Sequence, residues 1–142
     1  MEDKTEINER FKNWKKPDMD KEGWSIYGWR CQNPQNLYLG ERIDIGCFTY
    51  LNAFRTICID DDTQIGSHCS IYSYDSENNK TGEVKIGKAC LIGSHSIILP
   101  GSIIPGNTKI KAYTLIMERD GETCYKETTD KSWRLLNPGG RI

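Results

Sequence analysis

The sequence predicts an all-β chain wound from short strands, and three observations predict it. Aliphatic residues return at every sixth position, glycine follows many of them, and a small or β-branched residue stands two places before most of them. The C-terminal run is Ile86, Ile92, Ile98, Ile104, Ile110 and Ile116, without a break. An earlier run is Leu39, Ile45, Leu51 and Ile57, and Ile65 and Ile71 follow after the register slips by two residues. A helix repeats at about 3.6 residues and a half-buried strand at about 2, so neither produces a period of six. A stacked repeat does.

The neighbours of each rung define the shape of the repeat. Glycine follows the aliphatic residue at Gly46, Gly66, Gly87 and Gly93, and Asn52 takes that slot after Leu51. Tight corners and positive φ favour these two residue types. The small position is filled by Thr63, Cys69, Val84, Cys90, Ser96, Ser102, Thr108 and Thr114. One large and one small inward residue per hexad describe a short strand and a corner. Three such strands close a triangular coil of eighteen residues, which places Ile86 beneath Ile104, Ile92 beneath Ile110 and Ile98 beneath Ile116. About four coils are expected, each burying its core only through its neighbours.

Three segments follow from the pattern. Residues 1–38 form a polar N-terminal arm and cap, with residues 11–16 read as a short helix or a loose arm. Residues 25–40 are expected to cover the open end of the stack, where unpaired strands otherwise invite association. Residues 39–116 hold the repeat, interrupted at 72–83 by YSYDSENNKTGE, a polar stretch long enough to project. Residues 117–142 lose the repeat. There Trp133, Leu135 and Leu136 are expected to tuck a final strand or helix against the coil, the alternative being an exposed binding tail.

Composition narrows the function classes. A formal net charge of −1 gives no reason to expect a nucleic-acid partner, which calls for a clustered basic excess. No apolar run approaches the roughly 18 residues of a membrane span, and the first residues lack the apolar core of a signal peptide. A cytoplasmic location is expected. The six cysteines show no CxxC pair and no histidine at zinc-finger spacing from a cysteine pair. They read as reduced, buried small side chains, and no metal is expected.

The segments IGSHCSIYS and KIGKACLIGSHSIILPGSIIPGNTKI resemble those of bacterial hexapeptide-repeat acyltransferases. The likeness is to the galactoside and maltose acetyltransferase branch and the sugar acetyltransferases of polysaccharide clusters, over roughly residues 37–116. It implies a left-handed parallel β-helix, against the usual right-handed crossover. It further implies a homotrimer, acetyl-CoA as cosubstrate, and acyl transfer to a hydroxyl or amine of a sugar or nucleotide-sugar. The segment IGCFTYLNAFRTICIDDDTQIG is similar to the acceptor side of galactoside acetyltransferases, which carries Tyr50, Asn52 and Asp60 into the sugar site. A hydroxyl, an amide and a carboxylate suit sugar hydroxyls. Each also has a plainer role: packing for Tyr50, a corner for Asn52, a solvated acidic run for Asp60. On the cofactor side the resemblance places Ser94 at the thioester and Ala112, one coil later, at the pantetheine.

Acyl transfer needs a nucleophile, a proton acceptor and donors aimed at the developing oxyanion. The only histidines are His68 and His95. The family's catalytic histidine lies in the interrupting loop, which here has none; Tyr74 and Asp75 occupy that neighbourhood and join the acceptor side. Three readings stay open. His68 accepts the proton, oriented by Asp75 or Glu77; His95 does so from the cofactor side; or an amine acceptor needs no imidazole. The family's Pro-rich closing segment is also missing, which leaves Arg119, Lys126 or Arg134 as alternatives for the cofactor phosphates. A non-catalytic scaffold or assembly protein is the rival reading. A γ-class carbonic anhydrase, which needs three histidines, fits poorly.

Overall fold

A computed structural model describes residues 13–136. Over them the chain winds into a three-faced parallel β-helix. The first face stacks β2 (Leu37–Leu39), β5 (Ile57–Ile59), β10 (Val84–Ile86) and β13 (Ile103–Ile104). The second stacks β3 (Asp44–Ile45), β6 (Gln64–Ile65), β11 (Leu91–Ile92) and β14 (Lys109–Ile110). The third stacks β1 (Arg30–Gln32), β4 (Tyr50–Asn52), β7 (Ser70–Tyr72), β12 (Ile97–Ile98) and β15 (Thr114–Arg119). Within each face the pairing is parallel.

The predicted columns form. Ile86 pairs with Ile104, Ile92 with Ile110 and Ile98 with Ile116, and all six are at most 2% exposed. Burying each such side chain contributes about 1.5–3 kcal/mol. The small positions are buried too, and their polar atoms are satisfied by corner carbonyls. Thr49 Oγ1 donates to Gly66 O at 2.7 Å, Thr63 Oγ1 to Gly87 O at 2.7 Å and Cys69 Sγ to Gly93 O at 3.3 Å. A buried hydroxyl left unpaired is costly, so a small side chain able to reach a neighbouring corner suits this slot.

Two details correct the sequence reading. The rung on the second coil is Ile59, which pairs with Leu39 and Ile86, while Ile57 fills the slot two before it, beside Leu37 and Val84. The two-residue slip therefore precedes Ile59 rather than following Ile57. Both isoleucines are buried and flank the outward Cys58, so the hexad pattern alone does not choose between them. The helix also begins earlier than residue 39, because Cys31 on β1 is fully buried beneath Leu51.

Every departure from six-residue spacing falls at one corner. Eight residues separate Cys31 from Leu39 and Leu51 from Ile59, and fifteen separate Ile71 from Ile86; all other successive rungs are six apart. These insertions all leave the third face and re-enter the first. The longest carries a hairpin, β8 (Tyr74–Asp75) with β9 (Lys80–Thr81). Backbone approaches backbone across glycine at all three corners: a Cβ on Gly87 would stand 2.5 Å from Gly106 N, one on Gly66 2.6 Å from Ser94 N and one on Gly82 2.8 Å from Gly101 N.

The first coil is covered, and at the other end one face is extended. Trp14 Nε1 donates to Ile43 O at 2.9 Å, and Trp29 is buried under the first coil. No helix occurs over residues 13–16; residues 11 and 12 lie outside the described set. After β15 the chain returns antiparallel as β16 (Glu122–Glu127) and β17 (Arg134–Leu135). Leu136 is buried there, Leu135 is exposed, and the Arg119 guanidinium lies 5.1 Å from the Trp133 ring centre. Among the described residues no helix is long and apolar enough to cross a membrane.

Two outcomes are expected. Ile98→Ala lowers stability by about 2–5 kcal/mol in chemical denaturation, whereas Ile103→Ala, 57% exposed on its strand, stays within about 0.5 kcal/mol. In the second, burial pushes the Cys31 thiol up to about 12 and raises those of Cys69 and Cys90. Since the thiolate is the nucleophile, iodoacetamide at pH 8 labels exposed Cys47 first in mass spectrometry. Equal native-state labelling of Cys31 contradicts this burial.

Candidate functional site

The corner between the second and third faces repeats a residue in left-handed backbone on every coil: Phe48, His68, His95 and Tyr113, with φ between 57° and 64°. Each is the third residue after its rung, so the coils stack the four rings into a column. Phe48 and His68 are 5.2 Å apart between centroids, His68 and His95 4.8 Å with 6° between planes, and His95 and Tyr113 4.9 Å with 8°. Backbone hydrogen bonds fix each corner, His68 N to Cys47 O and His95 N to Ser67 O, both at 3.1 Å. Both imidazoles are exposed at their edges.

On one side of this column a groove of about 520 Å³ runs up the second face. Its floor is the backbone around Ile65, Ile92 and Ile110, and its wall is the corner series Gly46, Gly66, Gly93, Ser94 and Ala112. Lys109 and Lys111 line its upper part. Side-chain-free corners leave the backbone accessible to a long, flat ligand. Ser94 and Ala112, both read from the sequence as cofactor residues, lie together here. The lysines were missed, because outward positions of a hexad carry no periodic signal. Of the three cations offered for the tail, Arg119 stacks on Trp133 and Arg134 lies 3.5 Å from Asp130, and neither they nor Lys126 line this groove.

At the far edge of the third face the hairpin overhangs a cavity of about 590 Å³. Tyr50, Asn52, Tyr74 and Asp75 all line it, with Gln32 and Tyr72 beside them. Tyr50 donates its hydroxyl to Gln32 Oε1, and its ring meets Tyr72 edge-on at 6.0 Å. Burial raises the Tyr50 hydroxyl above its ordinary value, partly opposed by Arg30. Asp75 accepts from Asn78 Nδ2 at 2.8 Å and from Glu77 N at 3.0 Å, and the Asn78 amide holds its carboxyl below the usual range. Asn52 Oδ1 accepts from Phe54 N at 3.0 Å, so it also serves the corner. The hairpin is pinned at two points: Tyr74 meets Phe54 at 5.4 Å, and Lys80 Nζ reaches Glu118 Oε2 at 2.9 Å.

The remaining predicted residues separate. Asp60 sits at the corner between the first and second faces, in a different groove with Tyr38, Gly87 and Pro105. His68 precedes β7 and Asp75 follows it, so they occupy opposite edges of the third face and do not meet within one chain. Among the described residues no three His, Cys, Asp or Glu side chains group as a metal site.

Coil, corner and stacking make a three-sided parallel β-helix, and its likeness to a solved structure places it in the left-handed, hexapeptide-repeat class of fold. No protein-family model matches the sequence, and no curated protein is significantly similar to it. Among solved structures, a galactoside acetyltransferase in complex with coenzyme A matches with a TM-score of 0.56 and 14% identity, over 82% of this chain. The match takes in 62% of that protein, so this chain spans less than two thirds of its length. At this identity the likeness establishes the fold. A variant of AntD, an N-acyltransferase from Bacillus cereus bound to dTDP and coenzyme A, aligns at 17% identity over 76% of this chain and 81% of its own, with a TM-score of 0.44.

Proposed function

We propose that the chain is an acetyl-CoA-dependent acyltransferase that delivers an acyl group to a hydroxyl or amine of a sugar or nucleotide-sugar. The groove on the second face carries this reading. It runs along the strands past Gly46, Gly66, Gly93, Ser94 and Ala112, and is edged by Lys109 and Lys111, with Asp44 also among its lining residues. An extended pantetheine arm needs such backbone access, and a cofactor diphosphate needs cations, which Lys109 and Lys111 supply. The thioester then lies by Ser94, next to the column that presents His68 and His95. The coenzyme A complex of the fold relative supports the same reading.

The reaction is direct attack in a ternary complex. The acceptor oxygen or nitrogen adds to the thioester carbonyl, the C–S bond breaks, and coenzyme A leaves as the thiol. The acceptor proton passes to an imidazole, for which His68 is the first candidate and His95 the second; a free amine needs neither. A homotrimer closes the groove with a neighbouring copy, a role suited to exposed Leu91 and Ile97.

Acetyl-CoA at about a hundredfold over its dissociation constant stabilises the native state by about 2.7 kcal/mol, read as a thermal shift. Ala112→Trp, which fills the groove, is expected to abolish the shift while the fold persists by circular dichroism. No shift with wild type, and no thiol release on a panel of amino- and hydroxy-sugars, leaves a non-catalytic scaffold as the better reading.

His68→Ala is expected to lower turnover roughly a hundred- to ten-thousandfold, the range for a lost general base, with acetyl-CoA binding intact. Cys69→Ser keeps its activity. Full activity of the His68 variant moves the role to His95 or removes it.

A further inference from the structure

The cavity beneath the hairpin has a one-sided electrostatic character. Its walls offer three tyrosines (Tyr50, Tyr72 and Tyr74), side-chain amides and the carboxylates of Asp75 and Glu77, and neither Lys nor Arg lines it. Two cations lie behind this wall, Lys80 opposite Asp75 on the hairpin and Arg30 over Tyr50, and each is also held by a group outside the cavity. Lys80 Nζ is 2.9 Å from Glu118 Oε2. The Arg30 guanidinium stacks 5.9 Å from the Tyr50 ring centre and donates to Glu22 O at 2.7 Å. Asp75 is also pre-organised, because Asn78 and the Glu77 amide hold it in its ionised form.

From this wall we propose that the acceptor is a cationic amino sugar without a phosphate group, its ammonium held by Asp75 and Glu77, its ring faced by the tyrosines and a ring hydroxyl left as the nucleophile. The inference rests on the acyltransferase reading and narrows its acceptor. A sugar ring suits an aromatic wall with a few polar groups fixing its orientation. An ammonium forms charge-assisted hydrogen bonds with carboxylates. A nucleotide diphosphate needs the opposite surface, cations or a helix N-terminus. Two carboxylates facing it build in repulsion, which is how a site rejects a competing ligand.

Binding is measured by ligand-observed NMR on the full chain without acetyl-CoA. The probes are glucosamine, galactosamine and mannosamine, with glucose and UDP-glucosamine as comparators. At least one hexosamine is expected to bind about tenfold or more tighter than glucose, the scale of one charge-assisted hydrogen bond. UDP-glucosamine is expected to bind more weakly than that hexosamine. The Asp75→Asn, Glu77→Gln double variant, with its fold checked by circular dichroism, loses the preference for the amine. No hexosamine binding, equal binding of glucose, tighter UDP-glucosamine, or an unchanged preference in the double variant each overturns the proposal. Since cofactor is absent, hexosamine binding without any acetyl-CoA shift brings down only the acyltransferase reading. The reverse pair of results brings down only this one.

Discussion

The structure depends on one constraint: every coil must return to the same triangular outline, so that its inward side chains land on those of the coil before. A coil alone has nothing to bury its isoleucines against. Stacked in register, the columns through Ile86–Ile104, Ile92–Ile110 and Ile98–Ile116 exclude water almost completely. Register is thus worth the whole core, since a shifted coil misaligns all three columns together. Strand pairing between coils adds backbone hydrogen bonds but tolerates sliding more readily than the columns do.

This constraint dictates where the chain can vary. Two corners keep the six-residue spacing on every coil, with backbone approaching backbone across glycine at Gly66 on Ser94 and Gly87 on Gly106. A side chain at these glycines has no room. The third corner admits two extra residues before β2, two before β5, and nine between β7 and β10, without disturbing either face it joins. Chemistry divides along the same line. The locked corner presents a rigid column of aromatic and imidazole rings beside a smooth groove. The permissive corner grows a hairpin and, beneath it, the polar cavity.

Much of the fold was legible in the sequence because columns need large aliphatic residues at a fixed period, and Ile86 to Ile116 keep that period unbroken. Reading failed where two residue types served equally. Ile57 and Ile59 are both apolar, and only their partners Val84 and Ile86 show which is the rung. Cys31 acts as a rung that a search for Leu and Ile passes over. For the site, the pair Ser94 and Ala112 was legible as one coil apart, and the ring column could have been read as the third residue after each rung. The separation of Asp60 from Tyr50, and of His68 from Asp75, was not. It depends on which corner the insertion leaves, and that follows from packing such as Phe54 on Tyr74 and from Lys80 reaching Glu118.

That separation bears on assembly. In one chain the groove lies on the second face, and the acceptor cavity lies across the third face, beyond the ring column. With the proposed roles, the acyl group by Ser94 and the acceptor by Asp75 would stand on different sides of the prism, yet transfer requires the nucleophile about 3–3.5 Å from the carbonyl. No hinge in a stack of closed coils can bring them together, because bending it breaks the columns. A second prism can, if the third face of one copy packs against the second face of the next. Such a head-to-tail contact closes into a ring when its rotation divides a full turn. In an assembly of the proposed kind, each site would draw on two chains, the histidine column of one and the hairpin of the other.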